Sequence, residues 1–231
     1  MRYLTILSLA LALFAPANGL CQYTRGRTVL YNSRAKTLAP KSKAEKEPAK
    51  KEYEKPEKRV LIVYYSWDEN TKHAAEMIAK GVLPSEHFQI KVTGRRIKLK
   101  DDYNTNNFDV CLAQAKEQIT KKVKPAIINV PDDVSGYDII FLGSPNWWNT
   151  VAPPVLTFTE TMKEYKGPVA PFITRGNSGL GNCEEDIKKA LPKAKVLHAG
   201  LFSGKRLADR DDITEQAVKE WAKEIIDQQL K

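Results

Sequence analysis

Residues 60–71 read VLIVYYSWDENT, and this stretch decides the predicted fold. A continuous apolar and β-branched run such as VLIVYY is typical of a strand that is buried on both faces. The polar loop SWDENT follows directly, and residues 71–79 then have a helical pattern. This order of strand, loop and helix predicts a β-α unit.

The same alternation continues to the end of the chain. Further strands are predicted at residues 88–93, 138–142, 169–174 and 195–202, and further helices at residues 110–122, 155–162, 184–191 and 213–230. Five strands that alternate with helices predict a doubly wound α/β domain with a five-stranded, mostly parallel sheet. Ligands of such sheets bind outside the carboxyl ends of the strands, so the loops that leave the strands are the candidate functional segments.

The first 19 residues have the layout of a secretory signal peptide. Arg2 precedes an apolar run at residues 4–14, and small residues such as Ala17 and Gly19 follow it. The run is shorter than the roughly 20 residues that a membrane span needs, which makes a retained anchor the weaker alternative. We therefore expect an exported protein, periplasmic or extracellular.

Residues 20–58 differ in composition from the rest of the chain. Lys, Glu, Ala and Pro dominate them, and such a segment buries too little apolar surface to fold, which predicts a disordered linker. Cys21 raises lipidation as an alternative tether, although the bulky Leu20 stands where lipidation signals have a small residue. The domain is accordingly predicted to span residues 59–231.

The net charge of +9 lies mainly in the N-terminal segment. The first 57 residues hold 11 basic and 5 acidic residues, which leaves 26 and 23 for the remainder. No motif of a known nucleic-acid reader accompanies the charge, so no nucleic-acid partner is predicted.

The three cysteines do not indicate a metal site. Cys21, Cys111 and Cys183 show neither C-x-x-C spacing nor the Cys/His spacing of zinc sites. Free buried thiols are favoured for Cys111 and Cys183, and a disulfide between them is the alternative in an oxidising compartment.

Three loops that follow strands carry the candidate chemistry. Residues 66–71 (SWDENT) lead into a helix N-terminus, which favours a phosphate, with simple helix capping as the alternative. Residues 143–150 (GSPNWWNT) place two Trp in a surface loop, where a planar aromatic ligand would cover them, unless one of the two packs in the core. Residues 174–181 (TRGNSGLG) contain three Gly, which permit close approach to a ligand, but their spacing is not the dinucleotide fingerprint.

From residue 59 to residue 231 the chain resembles the flavodoxin-like family, in particular its bacterial branch with a double-Trp loop. Three motifs in order carry the resemblance: VLIVYYSWDENT (residues 60–71), GSPNWWNTVAPPVLTF (residues 143–158) and PFITRGNSGLG (residues 171–181). The resemblance implies strand order 2-1-3-4-5 and noncovalently bound FMN. The FMN phosphate would lie on the first loop, and the ring between the other two.

Carried over to this chain, the resemblance implies three groups of FMN-binding residues. The phosphate group consists of Ser66, Trp67, Asn70 and Thr71, with the amides of residues 67–71. One side of the ring is flanked by Pro145, Asn146, Trp147 and Trp148, with Asn149 in the same turn. The pyrimidine edge is reached by Thr174, Arg175, Gly176 and Asn177, and Ser178, Gly179 and Leu180 complete that loop. No catalytic acid, base or nucleophile is predicted, because His73, His87 and His198 are scattered along the chain.

Two positions depart from the family pattern. Glu69 stands where relatives commonly have Gly, and its carboxylate would repel a phosphate by roughly 1 kcal/mol or more unless Lys72 offsets it. Asn149 also stands where relatives often have Gly, but Asn tolerates left-handed backbone angles. Tight FMN binding is the prediction that Glu69 challenges most directly.

Three functions are compatible with the sequence. The first is an FMN-dependent oxidoreductase that takes electrons from NAD(P)H or from a membrane or protein donor, with a quinone or similar acceptor. The second is an electron-transfer carrier, which the slightly basic domain does not favour. The third is a non-redox interaction module with weak or lost FMN binding. Arg175 is expected to stabilise negative charge on the reduced ring and to raise its potential.

Overall fold

The VLIVYY run lies mostly in the first strand, Glu57–Tyr64 (β1), of the computed structural model, which describes residues 54–83, 85–103 and 106–230. Residues 60–63 of β1 are buried, as expected for a central strand covered on both faces. The predicted signal peptide and most of the predicted linker lie outside the described residues. β1 begins within the last two residues assigned to that linker.

The remaining elements follow in alternation. The strands are Gln89–Arg96 (β2), Lys98–Leu99 (β3), Ile127–Ile128 (β4), Ile139–Trp147 (β5), Thr150–Val151 (β6), Pro168–Arg175 (β7), Lys195–Val196 (β8) and Gly200–Ser203 (β9). The helices are Asn70–Gly81 (α1), Phe108–Lys121 (α2), Pro153–Thr159 (α3), Cys183–Ala190 (α4), Gly204–Ala208 (α5) and Asp212–Gln229 (α6). A 3-10 turn, Glu160–Met162, continues α3.

The main sheet has the order β2-β1-β5-β7, and both β8 and β9 then pair with β7. All of these pairings are parallel. Because β8 and β9 together form the fifth strand position, the order along the chain is 2-1-3-4-5. The predicted doubly wound α/β fold is confirmed.

The last strand is interrupted, whereas the sequence predicts it as continuous over residues 195–202. Val169 pairs with Val196, but Phe172 pairs with Gly200, so this strand has one residue more than β7 between the two pairings. The extra residue breaks the ladder, as in a β-bulge, and separates β8 from β9.

The second candidate loop is a strand and a tight hairpin. β5 continues through Trp147, and β6 returns antiparallel to it with Trp147 opposite Thr150. The two residues between the strands, Trp148 and Asn149, have φ angles of 55° and 62°. Positive φ at both positions is the pattern of a type I′ hairpin turn. Asn149 thus adopts the left-handed conformation that its side chain tolerates.

The core has two layers, one on each face of the sheet. Leu61, Val63, Leu142 and Ile173 belong to one layer, and the alternate residues of the same strands belong to the other. This alternation is the period of two expected of strands covered on both faces. α2, α3 and α4 contribute to the first layer, and α1 and α6 to the second.

Cys111 and Cys183 are free thiols buried in the first layer. Burial raises the pKa of Cys111 to about 11 and that of Cys183 to about 12, so both stay protonated at neutral pH. Within the described part of the chain, no cluster of His, Cys, Asp or Glu is suited to a metal. No helix of that part is long and apolar enough to cross a membrane.

Candidate functional site

A cleft of about 180 Å³ lies at the carboxyl ends of β5 and β7, beside the loop that follows β1. The loop contributes Trp67, Asp68 and Asn70, β5 contributes residues 145–147, and β7 contributes Thr174 and Arg175, with Gly176 directly after it. This is the edge at which doubly wound sheets bind ligands. Parts of all three loops singled out in the sequence therefore meet at one place.

Three further residues complete the wall of the cleft: Phe108, Gly204 and Lys205. The rings of Trp67 and Phe108 lie 4.9 Å apart at an angle of 43°. Phe108 is 47% exposed, so part of its ring is accessible to a ligand in the cleft. The sequence does not single out these residues, and its only signal for them is an aromatic residue near the start of a predicted helix.

Buried polar atoms without a partner concentrate in this cleft. The described residues contain five such side-chain atoms, and four of them belong to cleft residues: Trp67 Nε1, Asn70 Oδ1, Asn146 Oδ1 and Arg175 Nε. An unpaired buried polar group costs about 1–3 kcal/mol, so native proteins rarely keep several in one place without a ligand or ordered water. The cleft therefore has the donors and acceptors of a binding site.

Two larger grooves do not share this property. One, of about 770 Å³, lies between α6 and residues 81–83 and 85–88, and the other, of about 500 Å³, lies among α2, α3 and α4. None of the five unpartnered atoms belongs to a residue that lines them. The chemistry of the walls, and not the volume, identifies the smaller cleft as the candidate site.

Glu69 occupies a left-handed backbone position, with φ 65°, immediately before α1. Its carboxylate pairs with Lys72 Nζ at 2.7 Å and with Arg96 Nη1 at 2.6 Å. Burial alone would raise the pKa of Glu69, but the hydrogen bonds from Lys72 and Arg96 outweigh it, and the pKa is lowered. Lys72 pairs with Glu69, which is the offset that the sequence left open, and Arg96 pairs with it in addition.

Arg96 also ties the loop to the sheet edge. Its Nη2 donates to the carbonyl oxygen of Ser66 at 2.7 Å, while Nη1 contacts Glu69. Arg96 is the last residue of β2, thirty residues from Ser66. One guanidinium therefore holds both the backbone and the side chain of the loop.

Asp68 forms hydrogen bonds within the same loop. Its carboxylate accepts from the backbone N–H of Asn70 at 3.3 Å and from Nδ2 of Asn70 at 2.7 Å. That backbone N–H is one of the free donors at the start of α1. Among the described residues, no ion pair involves Asp68.

The two adjacent Trp point to different surroundings. Trp147 is 6% exposed and makes edge-to-face contacts with Tyr65 and Tyr103, each at 5.6 Å, while it also lines the cleft. Trp148 is 50% exposed and does not line the cleft. Its Nε1 donates to the carbonyl of Leu112, and Lys116 lies 4.5 Å from the centre of its ring. Trp147 is thus the one that packs in the core.

Thr71 and Thr174 meet, although the resemblance assigns them to opposite ends of the ligand. Their hydroxyl oxygens are 2.8 Å apart, and both side chains are buried. Ser66 is also buried, and its Oγ accepts from the backbone N–H of Lys72 at 3.3 Å. Ser66 and Thr71 do not line the cleft, whereas Thr174 does.

The third loop is anchored to the hairpin. Asn146 Nδ2 donates to the carbonyl of Gly179 at 2.7 Å, and the N–H of Asn182 donates to the carbonyl of Asn149 at 2.7 Å. A Cβ at Gly181, where φ is 61°, would stand 2.6 Å from that same carbonyl oxygen, so this turn requires Gly. Asn149, Asn177, Ser178 and Gly179 lie outside the cleft wall, in contrast to Arg175 and Gly176.

Comparison with known proteins gives one family and several structural neighbours. The model of a family described as Flavodoxin matches residues 59–225. The flavoprotein of Lactobacillus acidophilus NCFM in complex with FMN is 27% identical, with a TM-score of 0.54 over 66% of this chain and 97% of the other. A protein of Bacteroides uniformis is 23% identical, with a TM-score of 0.56 over 72% and 98%, a likeness that shows the fold alone. No curated protein matches the chain.

Proposed function

Because this chain belongs to the flavodoxin family, we propose that its cleft binds a flavin noncovalently, FMN as the resemblance implies, and that the protein transfers electrons through it. The group of unpartnered polar atoms in the cleft carries the proposal. A flavin ring presents carbonyl and N–H groups along one edge, which would pair with donors at Trp67 and Arg175 and an acceptor at Asn146. The Lactobacillus acidophilus flavoprotein supports the choice of FMN.

Each wall of the cleft would have a distinct task. A bound flavin supplies the electron-transfer chemistry, and the protein tunes it through nearby charge. Arg175 brings a cation to the cleft, where it would stabilise negative charge on the reduced ring. Trp67 and Phe108 would cover an aromatic face and exclude water from it. The cleft is smaller than most small-molecule sites, so the ligand would extend beyond its rim.

The proposed class is an oxidoreductase or electron-transfer protein. Its donor would be NAD(P)H or a membrane or protein donor. A non-redox interaction module is the second candidate, and one observation favours it. Asp68 and Glu69 place two carboxylates in the loop that would hold the phosphate. Loss of flavin binding, rather than loss of the fold, is what would distinguish this candidate.

The experiment that tests the proposal is a flavin-binding assay on the purified full chain. FMN is added, free ligand is removed by gel filtration, and the visible spectrum and flavin fluorescence are recorded. Retained yellow colour with quenched fluorescence is the expected result, because aromatic side chains line the cleft. A colourless protein, with free FMN that keeps its full fluorescence, would refute flavin binding and select the non-redox module.

Export is a separate part of the proposal. We propose that residues 1–19 act as a signal peptide and that residues 20–58 link it to the domain, because their composition fits these roles. The test is expression in a bacterial host, cell fractionation and N-terminal sequencing of the mature protein. A mature N-terminus near residue 18 or 20 in the exported fraction is expected. An intact N-terminus in the cytoplasmic fraction would contradict export.

A further inference from the structure

A second pocket, of about 190 Å³, lies beside the cleft at the carboxyl ends of β1 and β2. Tyr65 and Ser66 directly follow β1, and Arg96 is the last residue of β2. Trp67 lines both this second pocket and the cleft, so the two share part of a wall. A cavity of about 150 Å³ can hold one benzene ring, so the second pocket has room for a single-ring compound. Its remaining lining residues come after β2 in the chain: Ile97, Lys98, Asp102 and Tyr103.

The walls of the second pocket are rich in aromatic side chains. Tyr65 and Tyr103 are buried and meet edge to face, with ring centres 6.2 Å apart and an angle of 80° between the rings. Trp67 is partly buried and adds a third ring, and the buried Ile97 adds an aliphatic surface. Aromatic rings pack well edge to face or offset against other rings, so these walls suit a planar aromatic ligand.

The hydroxyl of Tyr65 is a free donor in the second pocket. Tyr65 is only 6% exposed, yet its hydroxyl has no hydrogen-bond partner among the described residues, whereas Tyr103 donates to Oε1 of Gln118 at 2.6 Å. Unlike the five unpartnered atoms described above, this oxygen is not completely buried, so a ligand in the pocket can reach it. Burial raises the pKa of Tyr65, so the hydroxyl keeps its proton at neutral pH and can donate.

The charges around the second pocket balance, which favours an uncharged ligand. Arg96 pairs with Glu69, which does not line the pocket. Lys98 and Asp102 line the pocket with opposite charges, and neither forms an ion pair with another described residue. The carboxylate of Asp102 is near enough to Tyr65 to raise the pKa of that hydroxyl further. A ligand hydroxyl between the two could therefore accept from Tyr65 and donate to Asp102.

We propose that the second pocket binds a small, uncharged phenol. The ring of the phenol packs against Trp67 and Tyr103, and its hydroxyl accepts from Tyr65 and donates to Asp102. The inference goes beyond the proposed function, because the FMN-binding groups implied by the resemblance include none of Tyr65, Asp102 and Tyr103. Since Trp67 lines both the cleft and the second pocket, a phenol bound here lies beside the flavin site without occupying it.

The test is an NMR titration of the purified full chain at neutral pH with phenol, toluene and benzoate. Phenol is uncharged at this pH, as a Tyr side chain is, whereas toluene lacks the hydroxyl and benzoate is an anion. We expect saturable binding of phenol with a dissociation constant of about 1 mM or below, and binding of the other two that is weaker by about fivefold or more. Toluene or benzoate that binds as tightly as phenol would overturn the inference, and so would the absence of saturable phenol binding.

Two variants test the hydrogen bonds. Tyr65→Phe keeps the ring and removes the hydroxyl, so it should weaken phenol by about tenfold and leave toluene within about twofold. Tyr64→Phe is the matched control and should alter neither, because Tyr64 packs against the second core layer and does not line the pocket. Asp102→Ala removes the acceptor at an exposed position and should weaken phenol by about threefold. Unchanged phenol affinity in either variant would overturn the assignment of the pocket.

A repeat of the phenol titration in the presence of saturating FMN separates the second pocket from the cleft. The affinity for phenol should stay within about threefold of its value without FMN. Competition between phenol and FMN would place the phenol in the cleft and overturn the inference. A protein that binds phenol in a manner sensitive to Tyr65→Phe, but that does not bind FMN, would support the second pocket and contradict the proposed function alone.

Discussion

The two ends of the cleft differ in how many of their polar groups already have a partner within the protein. At the ring end, which comprises residues 145–147 and 174–176, Asn146 and Arg175 each keep a buried polar atom without a partner. At the helix end, which comprises residues 66–71, Trp67 and Asn70 also keep one unpartnered atom each, but the carboxylates of Asp68 and Glu69 are engaged with Asn70, Lys72 and Arg96. Unpaired buried groups are costly and await a ligand, whereas paired groups need none. Both ends therefore offer unpaired atoms to a ligand, and the helix end differs in holding two carboxylates whose partners lie within the protein.

The largest effect is expected from Asn146→Ala, which removes both the unpartnered Oδ1 and the bond to Gly179. Loss of one buried hydrogen-bonding group of about 2 kcal/mol should weaken FMN and riboflavin alike by about 30-fold, measured by fluorescence titration. Asn177→Ala, in the third loop but outside the cleft wall, is the matched control and should cost less than about threefold. A larger loss for Asn177 than for Asn146 would reverse the assignment of the ring end.

Arg175→Gln should lower the midpoint potential of the bound flavin. A partly exposed cation contributes about 1 kcal/mol to an anionic ring, which corresponds to about 20 mV for a two-electron couple. Arg206→Gln removes the same charge from an exposed position on α5 and should leave the potential in place. Spectroelectrochemical titration measures both, and an unmoved potential in Arg175→Gln would exclude a tuning role for this residue.

Acidification should favour FMN at the helix end. A phosphate monoester has a second pKa near 6, so lowering the pH from about 7.5 to about 5.5 removes most of one negative charge. The pKa of Glu69 lies below its ordinary value, so its carboxylate and its hold on Lys72 and Arg96 persist in this range. The affinity for FMN relative to riboflavin should rise by about threefold. A fall in this ratio would mean that the helix end attracts the phosphate.

Glu69→Gln should lower the thermal midpoint at neutral pH. Because the folded pKa of Glu69 is lowered, its stabilisation is complete above the unfolded pKa and is lost as the pH falls through the folded pKa. The side chain is 40% exposed, so the expected loss is about 2 °C or less and should vanish in strong acid. Glu117→Gln removes an exposed ion pair with Lys121 on α2, and its change in thermal midpoint is the comparison for that of Glu69→Gln. A loss that grows as the pH falls would contradict the sign of this linkage.

The smallest effect is expected at Trp148. Its ring lies against Lys116 and Leu112 and outside the cleft wall, so Trp148→Phe should change flavin affinity by less than about twofold. Flavin fluorescence should stay quenched. The resemblance places Trp148 at the flavin ring, and a return of fluorescence in this variant would support that placement over the geometry described above.

The sequence predicts the fold because each strand and helix has a clear hydrophobic period. The buried run at residues 60–63 and the alternation that follows are local signals, and the strand order came from the family resemblance. The interrupted last strand was not predictable, because its extra residue has meaning only opposite β7. The short helix α5 was not predicted either. It has five residues directly after a strand, and so short a segment shows no helical period of apolar residues.

The site was predicted at the level of loops and less well at the level of side chains. Because the two Trp are adjacent and identical, the sequence does not show which of them is buried. The hairpin turn directs Trp147 to the core and Trp148 to α2. Glu69 has two ion-pair partners, and the sequence indicated one of them. Lys72 is three residues from Glu69 in the chain, whereas Arg96 lies at the end of β2 and is close to Glu69 only in the fold. Phe108 reaches the cleft from another element and has no nearby motif.

The position of β2 at one border of the sheet has a consequence for the behaviour of the protein at high concentration. A border strand leaves backbone donors and acceptors free, and these can recruit a strand from another molecule. Lys91 and Arg95 project exposed charges from β2, and a second copy that paired there would bring like charges together. Among the described residues no further strand pairs with this edge, and the charges of Lys91 and Arg95 oppose edge-to-edge pairing of two copies.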